Sequence, residues 1–263
     1  MPNRALLTAA TGMQVQQQNV DNIANNLANA STTGFKRTRL EFQDLMYQNM
    51  RTAGAAANAS TPLPVGLQIG MGARSIASEK IFTQGEAKQT EGKLDMLISG
   101  SGFFQIRLQN GEIAYTRSGN FHLNEQGQIV TAQGDSLEPS ISIPTENTSI
   151  SIGKDGTVST TTAGQANAQT IGQIQLAIFA NPAGLEAMGS NLFKATGASG
   201  QATVGTANAN GIGAIEQGYV EGSNVSVVEE LVNMISAQRV YETNSKVITT
   251  ADRMLGTINQ AVN

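Results

Sequence analysis

The sequence predicts an α+β protein in which N- and C-terminal helices form one coiled-coil domain, joined through an extended connector to an inserted β-rich domain. Three observations carry this expectation. Apolar residues recur in heptads at both ends of the 263-residue chain, and between them the apolar period drops to two. Linking the first heptads to the strands is a mixed segment of small residues and two prolines.

The C-terminal helix has the longest pattern. Val227, Leu231, Met234, Tyr241, Ile248, Leu255 and Val262 are apolar, with Gln238, Ser245, Asp252 and Asn259 between them, and the steps alternate four and three. Ser226 and Glu229 have the spacing of a capping box, Glu229 and Glu230 suit the positive end of a helix dipole, and Lys246 and Arg253 lie toward the other end. The expected helix has about 35 residues and a length of roughly 50 Å. Such a face can pack on its own domain. Four polar slots in eleven make this seam weak, so a helix of this length calls for a partner.

At the other end Leu6, Ala9, Met13, Gln16, Val20, Ile23, Leu27 and Ala30 repeat the same period. Burying the two seams against each other joins the termini and makes the middle an insertion, giving expected domains at 1–33 with 221–263, 34–72 and 73–220. Beside the first seam, Asn19, Asn22, Asn26 and Asn29 form an amide line. Asn disfavours a helix interior by about 0.6 kcal/mol relative to Ala, so the line is expected to hydrogen-bond helices of other subunits rather than merely face water.

The connector carries Arg51, Pro62, Pro64 and Gly66 among small residues, the composition of a linker or flexible loop. Beyond Ala73, alternation marks strands: Leu94, Met96, Ile98; Phe104, Ile106, Leu108; Ile113, Tyr115; Ile150, Ile152; Ile174, Leu176, Ile178. Asn110-Gly111 signals a two-residue hairpin, which sets Leu108 opposite Ile113 and Ile106 opposite Tyr115. Lys154-Asp155-Gly156, as a three-residue loop with Gly156 left-handed, sets Ile152 opposite Val158.

Composition excludes several functions. Net charge is -4, so nothing suggests nucleic acid; Lys36, Arg37 and Arg39 form a small solvated or ion-paired group. There is no cysteine and only one histidine, His122, expected to face away from the buried side of a strand. Thiolate and multi-histidine metal sites are thereby excluded, and a Ser-His-Asp site would rest on that single residue. Ser99-Gly100-Ser101-Gly102 lacks the rest of a dinucleotide fingerprint, and no carboxylate pair can be asserted. No catalytic residue, cofactor, metal or small-molecule substrate is expected. Nor is a membrane-spanning helix or a cleaved secretory signal.

The run Asn25-Asn26-Leu27-Ala28-Asn29-Ala30-Ser31-Thr32-Thr33-Gly34-Phe35-Lys36-Arg37 resembles the signature of bacterial flagellar basal-body rod and hook proteins. Glu221-Gly222-Ser223-Asn224-Val225, Glu229-Glu230-Leu231-Val232, Gln238-Arg239 and Tyr241-Glu242 resemble the matching C-terminal signature. Gly102-Phe103-Phe104 and Tyr115-Thr116-Arg117-Ser118-Gly119-Asn120-Phe121 resemble motifs of the outer domain. The stretch 63–70 resembles a segment of the distal-rod branch, which implies an extended, stiffening hairpin around Arg51, Pro62, Pro64 and Gly66. The resemblance implies a self-assembling tubular drive shaft, whose partners are its own copies, proximal rod proteins, the hook protein and the P- and L-ring proteins. It further implies a basal-body location, reached by type III export.

Overall fold

The computed structural model describes residues 2–52, 56–58, 61–62, 65–144, 147–162 and 168–262. Pro64, and the side chains of Pro62, Asn259 and Val262, lie outside the described residues. The fold is α+β, with a helix at each end and a β-rich middle. It divides into two compact units, one of 1–28, 38–79 and 226–263, the other of 29–37 and 80–225. The division differs from the expected boundaries: 29–37 joins the β unit, and most of the strand Ala73–Lys80 joins the helical one.

In the helical unit, α1 (Pro2–Ala28) packs along α2 (Val227–Val262). Ser226 starts α2: its carbonyl accepts the Glu230 N–H at 3.0 Å, and its hydroxyl lies 3.5 Å from the Glu229 N–H. The buried and half-buried line on α2 is Glu230, Met234, Ala237, Asn244, Ile248, Ala251 and Leu255, with Tyr241 at its edge. Half of the expected seam is therefore displaced by one residue. Gln238, Ser245 and Asp252 are exposed and Ala237, Asn244 and Ala251 take their places; Leu231 gives way to Glu230, and Val227 is exposed.

The reason is steric. A Cβ on Gly12 of α1 would come 2.8 Å from Asn244 Nδ2, so glycine makes the room in which Asn244 sits, with Ala237 and Ala251 buried one heptad to either side of it. On α1 the expected seam faces inward: Ala9 and Ile23 are buried and Leu6, Met13, Gln16, Val20 and Leu27 half-buried.

The connector is a ribbon rather than a loop. Thr38–Asp44 pairs with Ala73–Lys80, Tyr47–Arg51 with Leu67–Gly70, and Ala56–Asn58 with Thr61–Pro62. A two-stranded ribbon is marginal alone in water. Here α1 supports it: Arg4 Nη1 reaches Met50 Sδ at 3.5 Å, Thr11 abuts Gly72, and Ser75 Oγ donates to Gln18 Oε1 at 2.6 Å. Positions 4, 11 and 18 are seven apart, one line of the helix. Gly72 has φ +117°, and a Cβ there would overlap Thr11 Oγ1.

The β unit centres on the strand Phe103–Arg107, which pairs antiparallel with Ile113–Thr116 on one side and with Ser136–Glu138 and Gln175–Ile178 on the other. That strand lies in a nine-stranded sheet, and its residues Phe103 to Ile106 are buried on both faces. Phe104, Ile106, Leu137, Leu176, Met96 and Ile215 fill one core; Phe103, Tyr115, Phe179 and Phe193 form a smaller one with edge-to-face rings. A separate three-stranded sheet contains Asn147–Ile152, Thr157–Thr162 and Gln169–Gln173.

One loop type recurs. In 108–112, 124–128, 131–135 and 153–157 the first residue's N–H donates to the fifth residue's carbonyl, and the fourth residue, a glycine with φ between +74° and +90°, donates back to the first. The loop at 153–157 sets Ile152 opposite Val158, as expected. That at 108–112 overturns the two-residue turn: Asn110 Oδ1 accepts the Glu112 N–H, Gly111 becomes the bulge, and Ile106 faces Ala114 while Tyr115 faces Gln105. Tyr115 thus joins the smaller core.

Candidate functional site

The motif 25–37 falls in both units, and each half has its own role. In the helical unit it closes α1 on α2 and on the ribbon. Asn22 and Asn26 Nδ2 both donate to the Thr38 carbonyl, at 2.8 and 2.9 Å, and Asn26 Oδ1 accepts the Thr38 N–H at 2.9 Å. Buried Asn26 also lies 3.4 Å from Glu230 Oε1. These two amides are therefore engaged within the chain, correcting the expectation that they bond other subunits. Sequence alone could not show this, because a helical amide line says only that polar partners stand alongside. Asn25 and Ala28 are exposed, and Leu27 is half-buried.

In the β unit, Asn29 opens a turn in which its carbonyl and Oδ1 both accept from Thr32. The Thr33 carbonyl accepts from Asn191 Nδ2, and the Gly34 N–H donates to the Glu221 carbonyl at 2.8 Å. Gly34 has φ +70°, and a Cβ there would lie 2.6 Å from the Ser118 nitrogen, so only glycine fits. Phe35 is buried, with the Lys80 ammonium 5.4 Å from its ring centre.

Next comes a buried ionic clasp. Glu221 Oε1 accepts from Lys36 Nζ at 2.6 Å and from the Gly85 N–H at 2.9 Å; Oε2 accepts from Arg117 Nε at 2.9 Å. Lys36 also donates to the Thr83 carbonyl, and Arg117 Nη1 to the carbonyls of Gly100 and Gly102 at 2.8 and 2.7 Å. The Ser99–Gly102 glycines, set aside as a nucleotide loop, thus cradle a guanidinium. Burial lowers the Lys36 pKa, the nearby Glu221 carboxylate opposes that, and the Arg117 charge adds to it. Beside the clasp, Asn224 accepts the Arg37 N–H and donates to the carbonyls of Ile81 and Thr83. Three signatures separate in sequence therefore meet at one carboxylate. Lys36 and Arg39, grouped by sequence, diverge: Lys36 is buried in the clasp, whereas Arg39 pairs at the surface with Glu79.

His122 is exposed on its strand. Among the described residues no group of His, Cys, Asp and Glu could hold a metal ion, and no helix is long and apolar enough to cross a membrane. Arg51 is exposed on the ribbon, Gly66 half-buried just before Leu67–Gly70, and Pro62 lies in the short strand Thr61–Pro62.

Three family models match the segments that carry these features. They are the flagella basal body rod protein model over 6–36, the flagellar hook protein FlgE/F/G D1 domain over 97–160, and the flagellar basal body rod FlgEFG protein C-terminal model over 216–261. The flagellar basal-body rod protein FlgG of Buchnera aphidicola subsp. Schizaphis graminum is 50% identical over 256 residues, spanning 97% of this chain and 98% of that protein. The chain belongs to the flagellar basal-body rod protein family. The rod protein FlgG of Caulobacter vibrioides is 49% identical over 98% of both chains, and that of Bacillus subtilis 39% identical over 96% of both. Coverage of this extent takes in both units, ribbon included. The rod family is a structural one.

Proposed function

We propose that this rod-family chain is an axial subunit of the distal flagellar rod, which polymerises through its terminal helices into a rigid tube that transmits torque to the hook. The observation that supports this is how little the helical unit buries. Its buried apolar residues among those described are Ala9, Val15, Ile23, Ala237 and Ala251, while Val228, Leu231, Val232 and Ile235 stand exposed at i, i+3, i+4 and i+7 on α2. The ribbon exposes Phe42, Met46, Tyr47, Met50 and Leu67 as well.

Apolar surface of this extent is covered when neighbouring copies associate, the terminal helices then forming a coiled-coil inner layer. The ribbon, fixed to α1 at positions 4, 11, 18, 22 and 26, acts as a strut that resists bending. By its family the subunit resides in the basal-body rod, with proximal rod proteins, the hook protein and the P- and L-ring proteins as further partners.

Electron microscopy of concentrated protein, beside a version lacking 1–31 and 226–263, tests the reading. Straight tubes from the intact chain alone are expected. Monomers from both would refute it.

A further inference from the structure

α2 carries a second seam, distinct from the one α1 covers. Val240, Thr243, Val247, Thr250, Met254 and Thr257 alternate in steps of three and four, and all are exposed. The apolar members, with Ile258 one turn beyond Met254, are between 42% and 54% exposed. No charge enters this line, as Arg239, Glu242, Lys246, Asp252 and Arg253 occupy other positions. The Thr243 and Thr257 hydroxyls donate to the carbonyls of Arg239 and Arg253 at 2.8 and 2.9 Å. Their hydrogen bonds are thus made within the helix, leaving methyl groups to a partner at no cost in orphaned hydroxyls.

α1 carries the complement. Leu7, Ala10, Gln14, Gln17, Asp21, Ala24 and Ala28 keep the same period, and all are exposed, so neither α2 nor the ribbon of the same chain covers them. The line is mostly alanine and glutamine, and its one charge, Asp21, is held by Gln17 Nε2 at 3.3 Å. A seam of valine, threonine and methionine faces outward on one helix and one rich in alanine and glutamine on the other, each running about 27–31 Å along its axis.

We propose that the Val240–Ile258 seam of one copy packs on the Leu7–Ala28 seam of α1 in a second copy. This rests on the polymer reading above and specifies the faces that meet. The two surfaces differ, so the contact is heterologous and is passed on from copy to copy, as a helical polymer requires. One seam buries roughly 300 Å² per partner, well below the roughly 800 Å² of a stable pair, so a copy is held only where several neighbours act together. An isolated dimer is accordingly not formed. Self-pairing of the α2 seam, by contrast, would set bulk against bulk and close a two-fold dimer.

The chain has no cysteine, which permits a background-free test. Val247→Cys is made alone and combined in turn with Ala10→Cys, Gln17→Cys and Ala24→Cys in the full chain, and each is treated with diamide under polymerising conditions. At least one double variant is expected to give a ladder of trimers and larger species on non-reducing gels, and Val247→Cys alone to stay monomeric. Wild-type tubes without a ladder from any double variant, or a dimer from Val247→Cys alone, would overturn the proposal while leaving the polymer reading intact. Failure of the wild type to polymerise would overturn both. Independently, Val247→Lys should raise the concentration needed for polymer at least tenfold with unchanged circular dichroism, and adding Ala24→Glu should restore it at least partly. Polymerisation of Val247→Lys at the wild-type concentration would count against the interface.

Discussion

The two units solve opposite problems with the same residue types. In the β unit the central strand is buried on both faces, and among the described residues its exposed large apolar side chains are Ile113, Leu123, Met188 and Val204. Along α2 alone the helical unit exposes more than twice that number, and its buried apolar residues among those described are Ala9, Val15, Ile23, Ala237 and Ala251. A core that large is complete in one chain. Two helices with so few fully buried apolar side chains bury too little to be so. The difference separates a unit whose apolar residues are largely buried within one chain from one that leaves most of them exposed.

The largest effect is expected from within the β core. Phe104→Ala, at a residue with no exposure, should cost about 3–5 kcal/mol of unfolding free energy by denaturant titration. Val240→Ala should cost the monomer under about 0.5 kcal/mol. Equal losses would show that the units do not differ as described.

Glu221→Gln comes next. It leaves two buried cations without their carboxylate, and a loss of about 3–5 kcal/mol is expected in the same titration. A loss below about 1 kcal/mol would mean that backbone carbonyls alone suffice for Lys36 and Arg117.

Asn26→Ala removes both bonds to Thr38, at an expected cost of about 1–3 kcal/mol. Hydrogen exchange should quicken at the start of the ribbon while subunit association keeps its concentration dependence. Weakened association with unchanged exchange would restore the intersubunit role for this asparagine.

Lys36→Met should have the smallest effect, about 1 kcal/mol or less, because the clasp holds two cations to one carboxylate and loses its excess charge. Its pH dependence sharpens the point. With the folded pKa of Lys36 below the ordinary 10.5, the native state releases its proton first, so stability is lowest where the lysine is charged in both states. The wild type should therefore gain stability relative to Lys36→Met as pH rises toward 10.5. A relative loss over that range would mean that the ion pair outweighs burial.

Much of the architecture was legible in sequence. The two helices, the alternating strands, the Gly156 loop and the exposed His122 follow from patterns only a few residues wide, where backbone geometry dictates which side chains share a face. The ribbon was not legible from composition, because small and polar residues pair equally well as they loop, and its support comes from Arg4, Thr11 and Gln18 far away in the chain. In sequence Lys36 belongs with Arg37 and Arg39 to a small solvated or ion-paired group, and nothing local announces that its partner is Glu221.

By itself, then, the sequence determined the period of each element and hence its type, because period is a property of one backbone. Which of two neighbouring faces each element buries was decided only by tertiary structure. The α2 seam moved from Gln238, Ser245 and Asp252 to Ala237, Asn244 and Ala251, and the hairpin register moved by one residue at Gly111. Both are steps of a single residue, invisible to periodicity. They were set by how closely another helix approaches, and by which turn lets Tyr115 reach its aromatic neighbours.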